Sequence, residues 1–329
     1  MSTVYIDQQG AKLHHCGEEV HIEKDGETLA KLPLARIDRI VLAGSVQLST
    51  QVMELFLKHH IPVSFTSTHG RYKGRLTPPL HKNVALRLEQ YHKYHDDGFR
   101  LRQASVIIGA KIRNCHELVQ KHMRSHKELD CSHEIQSMAR EMSGVKSAVC
   151  RDSLMGHEGT AARHYFTAFG KMVRREFVFE KRTRRPPKDP VNALLSLGYT
   201  LLFNEMVTAL EAIGLDPYLG FLHEIDYGRA SLAADLCEEF RFLVDALALS
   251  LVNRGELKRE NFTYLEDGGV HLDDTGRKLF YASYEHKVRT EIEWCGVSVS
   301  YRRLFFNQAE LLARVVKGEA AEYIPLLMR

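Results

Sequence analysis

Residues Phe99–Leu118 read FRLRQASVIIGAKIRNCHEL. Within them Leu101, Ala104, Ile107, Ile108, Ile112 and Leu118 recur mostly at three- and four-residue spacing, which puts them on one apolar face of a helix. Val84, Leu86, Leu88 and Tyr91 begin this pattern just after Lys82. It returns around residues 132–155, 157–176, 190–213, 232–253 and 303–329. The expectation is a large all-α domain over residues 89–329.

Upstream of Lys82 the period changes. Thr3-Val4-Tyr5-Ile6 and Glu19-Val20-His21-Ile22-Glu23 alternate toward a Lys24-Asp25-Gly26 turn, and Glu27-Thr28-Leu29 leads back. Asp-Gly between alternating runs marks a hairpin. Ile37–Leu42 and Ile61–Phe65 read as further strands, with Pro62 suiting a strand start. Between them Ser49-Thr50 caps a short helix whose Val52, Leu55 and Phe56 share a face. Gly70 and Gly74 are read as turning the chain, and Pro78-Pro79 as breaking it. The expected class is α+β: an N-terminal β-domain (1–76), a linker (77–88) and the helical domain.

The 329 residues fit two domains. Hydrophobic content of 44% supports a sizeable core without staples. The net charge of +3 is too mild to announce nucleic acid, so any basic signal must be local. Six cysteines form no CxxC pair, which argues against a zinc knuckle and leaves reduced thiols as the plain reading. The N-terminus lacks the charged and apolar regions of a signal peptide. No membrane span is expected, and the location expected is cytoplasmic.

Chemistry concentrates in Gly220–Arg241, GFLHEIDYGRASLAADLCEEFR. His223 ends an apolar run, Ser231 reads as an N-cap, and Asp235, Glu238 and Glu239 follow at helical spacing. One imidazole beside a carboxylate ladder suits a divalent metal. Acids in a helix's first turns equally serve its dipole, at about 0.3–1 kcal/mol each. A second segment bears on the choice. In MGHEGTAARHYF (155–166), Glu158 opens an apolar helix, with Ala162, Tyr165 and Phe169 following on its face. A carboxylate there is either buried and in need of a cation, or exposed in a frayed first turn. Neither histidine–glutamate pair extends to HExxH, so the zinc-peptidase motif is absent.

The local basic signal lies between Lys171 and Lys188. Arg174, Arg175, Lys181, Arg182, Arg184, Arg185 and Lys188 are candidate contacts to a DNA backbone. A solvated surface loop would carry the same composition. Phe177 and Phe179 are too sparse for a single-strand stacking platform.

Three blocks in this order carry a resemblance: E-x-x-x-A-R-x-Y-F from Glu158, R-R-P-P-x-D-P-V-N-A-L-L-S-L-G-Y from Arg184, and L-H-x-x-x-x-G-R-x-S-L-x-x-D-L-x-E-E-F-R from Leu222. With the β-then-α order, the chain resembles the CRISPR-associated adaptation integrases, the Cas one (Cas1) family, over nearly its whole length. Lys111-Ile112-Arg113-Asn114 also resembles a family segment. The resemblance implies a metal-dependent DNA integrase and endonuclease, in which the 3′-hydroxyl of a short fragment attacks a phosphodiester at a CRISPR repeat. It implies Glu158, His223 and Glu238 as catalytic metal ligands for Mg²⁺ or Mn²⁺, with Asp235 as a secondary candidate. Glu239 is left to the surface, and Ala230 stands where many members carry proline. It also implies a homodimer contacting through the β-domain, double-stranded and branched DNA as substrate, a small Cas two (Cas2) partner and, in some subtypes, a Cas four (Cas4) nuclease.

Overall fold

The computed structural model describes residues 3–68, 72–77 and 83–328. Two compact units divide the chain, Met1–Leu80 and His81–Arg329. Gly70 and Pro78-Pro79 lie outside the described residues.

The first unit contains β1 (Thr3–Ile6), β2 (Lys12–Cys16), β3 (Glu19–Lys24), β4 (Glu27–Pro33), β5 (Arg39–Ala43), β6 (Gln47–Leu48), α1 (Thr50–Lys58), β7 (Val63–Thr66) and β8 (Tyr72–Leu76). They form two four-stranded sheets, β1-β5-β7-β8 and β4-β3-β2-β6. Strands β1, β5 and β7 run parallel, and β8 closes the edge antiparallel to β7. Gly74 therefore lies inside a strand rather than at a turn, paired with Phe65. Asp25 and Gly26, both at positive φ, make the tight turn between β3 and β4. Ser49 caps α1 as its sequence predicts, accepting from the Val52 amide at 3.3 Å. Leu13 and Val20 from one sheet, Ile40 and Val63 from the other, and Val52 and Phe56 of α1 form one buried cluster.

The second unit is mostly helical: α2 (Val84–Tyr94), α3 (Asp97–Ser125), α4 (Ser132–Ser147), α5 (Arg151–Met172), α6 (Pro190–Ile213), α7 (Ser231–Cys237), a 3₁₀ turn (Glu238–Phe240) and α8 (Arg241–Asn253). There follow β9 (Phe262–Tyr264), β10 (Val270–Leu272), α9 (Asp274–Arg289), β11 (Glu291–Trp294), β12 (Val297–Ser300) and α10 (Tyr301–Val316). Two short antiparallel hairpins thus interrupt a region read from sequence as wholly helical. The segment expected to link the units is already helical from Val84.

Other boundaries move for identifiable reasons. The break between α4 and α5 falls at Ala148–Cys150, not near residue 156, so Glu158 sits two turns inside α5. Helix α5 runs through Gly156 and Gly159 without a break. Helix α10 stops at Val316, and Gly318 follows at φ +76°, a left-handed turn that ends helices.

Helix α6 is buried along most of its length. Asp189 caps it through the Asn192 amide at 2.8 Å, and Pro190 takes its first turn, where no amide partner is needed. Its composition and length would let it cross a bilayer, but 72% of its most apolar window is buried inside the protein. Asn192 is fully buried and ties down the preceding loop. Its Oδ1 accepts from Arg182 at 2.7 Å and the Thr183 amide at 2.9 Å, and its Nδ2 donates to the Lys181 carbonyl at 2.8 Å.

Candidate metal centre

Four elements of the helical unit bring charged side chains together. Helix α3 supplies Lys111, α5 supplies Glu158, the 3₁₀ turn supplies Glu238 and α8 supplies Arg241. The Lys111 ammonium lies 2.5 Å from Glu158 Oε1 and 2.6 Å from Glu238 Oε2. Arg241, one turn beyond Glu238, reaches its other oxygen at 2.9 Å. Glu238 is only 4% exposed. Burial alone would raise its carboxyl pKa, but Arg241 and Lys111 outweigh that and hold it at about 2. Burial pulls the Lys111 ammonium down, and Glu238 and Glu158 more than offset it.

His223 comes from the loop after α6 and is positioned by Asp235 of α7. Asp235 is fully buried. Its Oδ2 accepts the amides of Phe221 at 2.6 Å and Leu222 at 2.9 Å. Its Oδ1 accepts the His223 amide at 3.0 Å and contacts His223 Nδ1 at 2.6 Å. A proton on Nδ1 completes that bond and leaves Nε2 as the lone-pair nitrogen. Both Asp235 oxygens are thus engaged by the His223 loop. A Cβ on Gly220 would come within 2.7 Å of Asp235 Oδ2, so this close approach requires glycine. Gln90 fixes the start of the same loop by donating to the carbonyls of Asp216 and Leu219 at 2.9 and 3.0 Å.

Glu158 and Glu238 therefore meet on one ammonium, and Asp235 stands behind His223. The donor atoms of Glu158, His223 and Glu238 do not form a group within 4.8 Å of one another among the described residues. Lys111 occupies the space between the two carboxylates. The donors nonetheless fit a divalent cation. Two carboxylates already share a positive charge, and Glu238 Oε2 is buried with an ionic contact but no hydrogen bond.

Two sequence expectations fail here. Ser231 is the first residue of α7 rather than its cap, and its hydroxyl donates to the Glu224 carbonyl at 2.9 Å. Glu239 is not on the surface. It is fully buried, accepting from Tyr323, from Gln308 at 3.2 Å and from the Leu326 amide at 2.7 Å. Burial pushes its carboxyl up to about 7.

A cavity of about 60 Å³ adjoins the site, lined by Lys111, Glu158, Tyr165, Arg182, Tyr199, Arg241 and Asp245 among others. Asp245 is buried there and accepts both phenols, Tyr165 at 2.6 Å and Tyr199. An open cleft of about 550 Å³ shares Arg182 and Arg184 and adds Lys181 and Arg163.

The basic run divides into two sets. Arg174 pairs with Glu128 at 2.7 Å, Arg175 donates to the Asn253 carbonyl at 2.8 Å, and Lys188 to the Asp267 carbonyl at 2.7 Å. Arg182 is held by Asn192 and lies over the Tyr199 ring at 5.4 Å. Lys181, Arg184 and Arg185 are exposed, and no ion pair or hydrogen bond of their side chains is recorded among the described residues. All six cysteines are free thiols.

The family profile described as CRISPR associated protein Cas1 matches residues 4–286. The chain belongs to the Cas1 family. It is 37% identical to the CRISPR-associated endonuclease Cas1 1 of Moorella thermoacetica, over 100% of this chain and 99% of that one. Among solved structures it is similar to a casposase bound to integration product, with TM-score 0.89 and 26% identity over 98% of this chain and 92% of that one. A Cas1 protein from Thermotoga maritima matches with TM-score 0.84 and 29% identity, covering 97% of each chain. Two longer proteins contain a similar part. A Cas4/Cas1 fusion of Geobacter sulfurreducens is 35% identical over 97% of this chain and 59% of its own length. A chain of a Cas6-RT-Cas1–Cas2 complex matches with TM-score 0.85 and 25% identity over 99% of this chain and 36% of its own.

Proposed function

We propose that this chain is a divalent-metal-dependent DNA integrase and endonuclease of CRISPR adaptation, with Glu158, His223 and Glu238 as its metal ligands. The observation that carries the assignment is the pair of carboxylates gathered on one cationic group, with the pinned imidazole supplied by the neighbouring loop. Two carboxylates and an imidazole suit Mn²⁺, and Mg²⁺ with several waters. When bound, the ion supplies Lewis-acid stabilisation of charge on the phosphoryl oxygens and activates the attacking hydroxyl.

The chain's own groups do the rest. Asp235 fixes the His223 tautomer, so Nε2 is presented without reorganisation. Arg241 keeps Glu238 ionised throughout the neutral range. A cation held between Glu158 and Glu238 would take the place of the Lys111 ammonium, which would stay within reach to pair with a phosphate oxygen. Lys181, Arg184 and Arg185 hold the DNA backbone along the cleft, while Arg174, Arg175, Arg182 and Lys188 shape the loop that presents them. With a DNA 3′-hydroxyl as nucleophile the reaction is strand transfer, and with water it is cleavage. The assembly we propose is a homodimer through the β-domain, working with Cas2 and, where present, Cas4, in the prokaryotic cytoplasm.

Strand transfer of a 3′-hydroxyl fragment into a repeat-containing duplex tests the assignment. Glu158→Ala, His223→Ala and Glu238→Ala should each lower the rate by about 1000-fold, the several kcal/mol a catalytic metal supplies. Duplex binding should persist in all three. Near-native transfer by any one of them overturns the ligand set, and cleavage without joined products in the native protein overturns the integrase reading.

A further inference from the structure

The outward face of the β2–β3 hairpin gathers a second set of donors in the N-terminal unit. His14 and His21 are direct cross-strand partners, with ring centroids 5.5 Å apart. Leu13, Val20 and Ile22 point the other way, into the core, so strand alternation holds His14, His21 and Glu23 on one side. His14 Nε2 lies 3.3 Å from Glu23 Oε1. One donor atom from each of His14, His21 and Glu23 falls within 4.8 Å of the other two, and among the described residues this is the one group of three that does so. The β3–β4 register slips between Ile22 and Glu23, a bulge of the kind that re-aims a side chain. Glu19 contacts His21 Nε2 at 3.3 Å and orients that ring.

We propose that His14, His21 and Glu23 form a binding site for a borderline divalent transition cation such as Zn²⁺, with water completing the coordination. Donors in a tetrahedral zinc site lie about 3.4 Å apart, given metal–ligand distances near 2.1 Å. The His14–Glu23 pair already has that spacing. The remaining closure is a rotation of side chains that are 39% and 38% exposed at His14 and Glu23. Lys12 and Lys31, the cross-strand neighbours of Glu23 and His21, are exposed, and their ammoniums reach solvent on flexible stems. Two imidazoles and one carboxylate favour Zn²⁺, Co²⁺ or Ni²⁺ over Mg²⁺, which prefers oxygen and retains its waters. The ion would tie β2 to β3 and stiffen the sheet. This site is independent of the assignment made for Glu158, His223 and Glu238.

The test uses the full chain carrying Glu158→Ala and His223→Ala, so that the other centre cannot contribute. Titration with Co²⁺, followed by calorimetry and visible absorption, should show one equivalent bound with ligand-field bands and no thiolate charge-transfer band. Adding His14→Asn with His21→Gln should weaken binding at least about 100-fold, beyond the roughly 10–100-fold cost of losing an outer-shell partner. Glu23→Gln provides a second variant, and equal melting temperatures in chelator show that the fold is kept. Unchanged affinity in these variants, no bound equivalent, or a charge-transfer band from the exposed Cys16, Cys150 or Cys295 overturns the proposal.

Discussion

Lys111 is the residue on which the candidate centre turns. It bridges Glu158 and Glu238 in a setting where either carboxylate alone would be costly to bury. Lys111→Met removes the cation that Glu158 and Glu238 share and leaves Glu238 with Arg241 alone. Metal-free protein should then lose about 3–5 kcal/mol, the usual cost of breaking a buried ion pair, read as a lower melting temperature. Saturating Mn²⁺ should restore more stability in the variant than in the native chain, because it no longer competes with an ammonium. Equal Mn²⁺-induced shifts would show that Lys111 does not occupy the cation's place. The sequence held a cue to this role. Lys111 falls four residues after Ile107 and three after Ile108, so a lysine sits within the buried stripe of α3. Asp235 was harder to place, because spacing put it with Glu238 on one face. Only the folded loop shows both its oxygens taken by residues 221–223.

Three helices are tied by one arginine. Arg302 of α10 donates to Glu205 of α6 at 2.7 Å and to Glu285 of α9 at 2.8 Å. Arg302→Leu removes the cation these two acids share, although Arg289 still pairs with Glu285 at 2.7 Å, and an unfolding free energy lower by about 3–5 kcal/mol is expected. Replacing all three residues by leucine should recover most of that loss, since apolar packing often matches a buried ion network. Urea titration of both variants decides it. The pH dependence follows from Glu285. Burial pushes its carboxyl up, but Arg302 outweighs this and holds it below 4.5. Its stabilisation is therefore present above 4.5 and lost as pH falls through the lowered folded value. Glu285→Gln should flatten that part of the acid limb in melting curves. At this scale the long helices were legible because their apolar stripes repeat for many turns. Helix α9 was not, since its mean hydropathy is low and its buried Phe280, Tyr281 and Tyr284 are spread among charges. The segment after Val316 read as helix, yet Asn114 accepts from the Met328 amide at 2.7 Å and donates to the Leu326 carbonyl at 2.9 Å, drawing it out as an extended strap.

The whole chain carries only +3, so its electrostatics with DNA must be local. The division of the basic run predicts which charges count. Lys181→Ala, Arg184→Ala and Arg185→Ala should each reduce the slope of log affinity against log salt by about 0.9, one phosphate contact apiece. Arg174→Ala and Arg175→Ala should instead lower stability and leave that slope unchanged. Fluorescence anisotropy across a salt series separates the two groups. The switch from period 2 to period 3.6 made the β-then-α order readable before any coordinates. The sheet pairing was not readable, because β2 is short and polar on its outer face, and its partner β6 has only two residues. The loop that carries His223 is fixed at both ends, by Asp235 at residue 223 and by the Ser231 bond to the Glu224 carbonyl. Between those anchors Ile225 and Tyr227 project into solvent, Tyr227 completely. Residues 225–228 are therefore an attachment point for a reporter. A dye on Tyr227→Cys, with Cys16, Cys150 and Cys295 exchanged for serine, would sit on the rim of the candidate centre without entering it, and its emission would signal the arrival of each DNA end in real time.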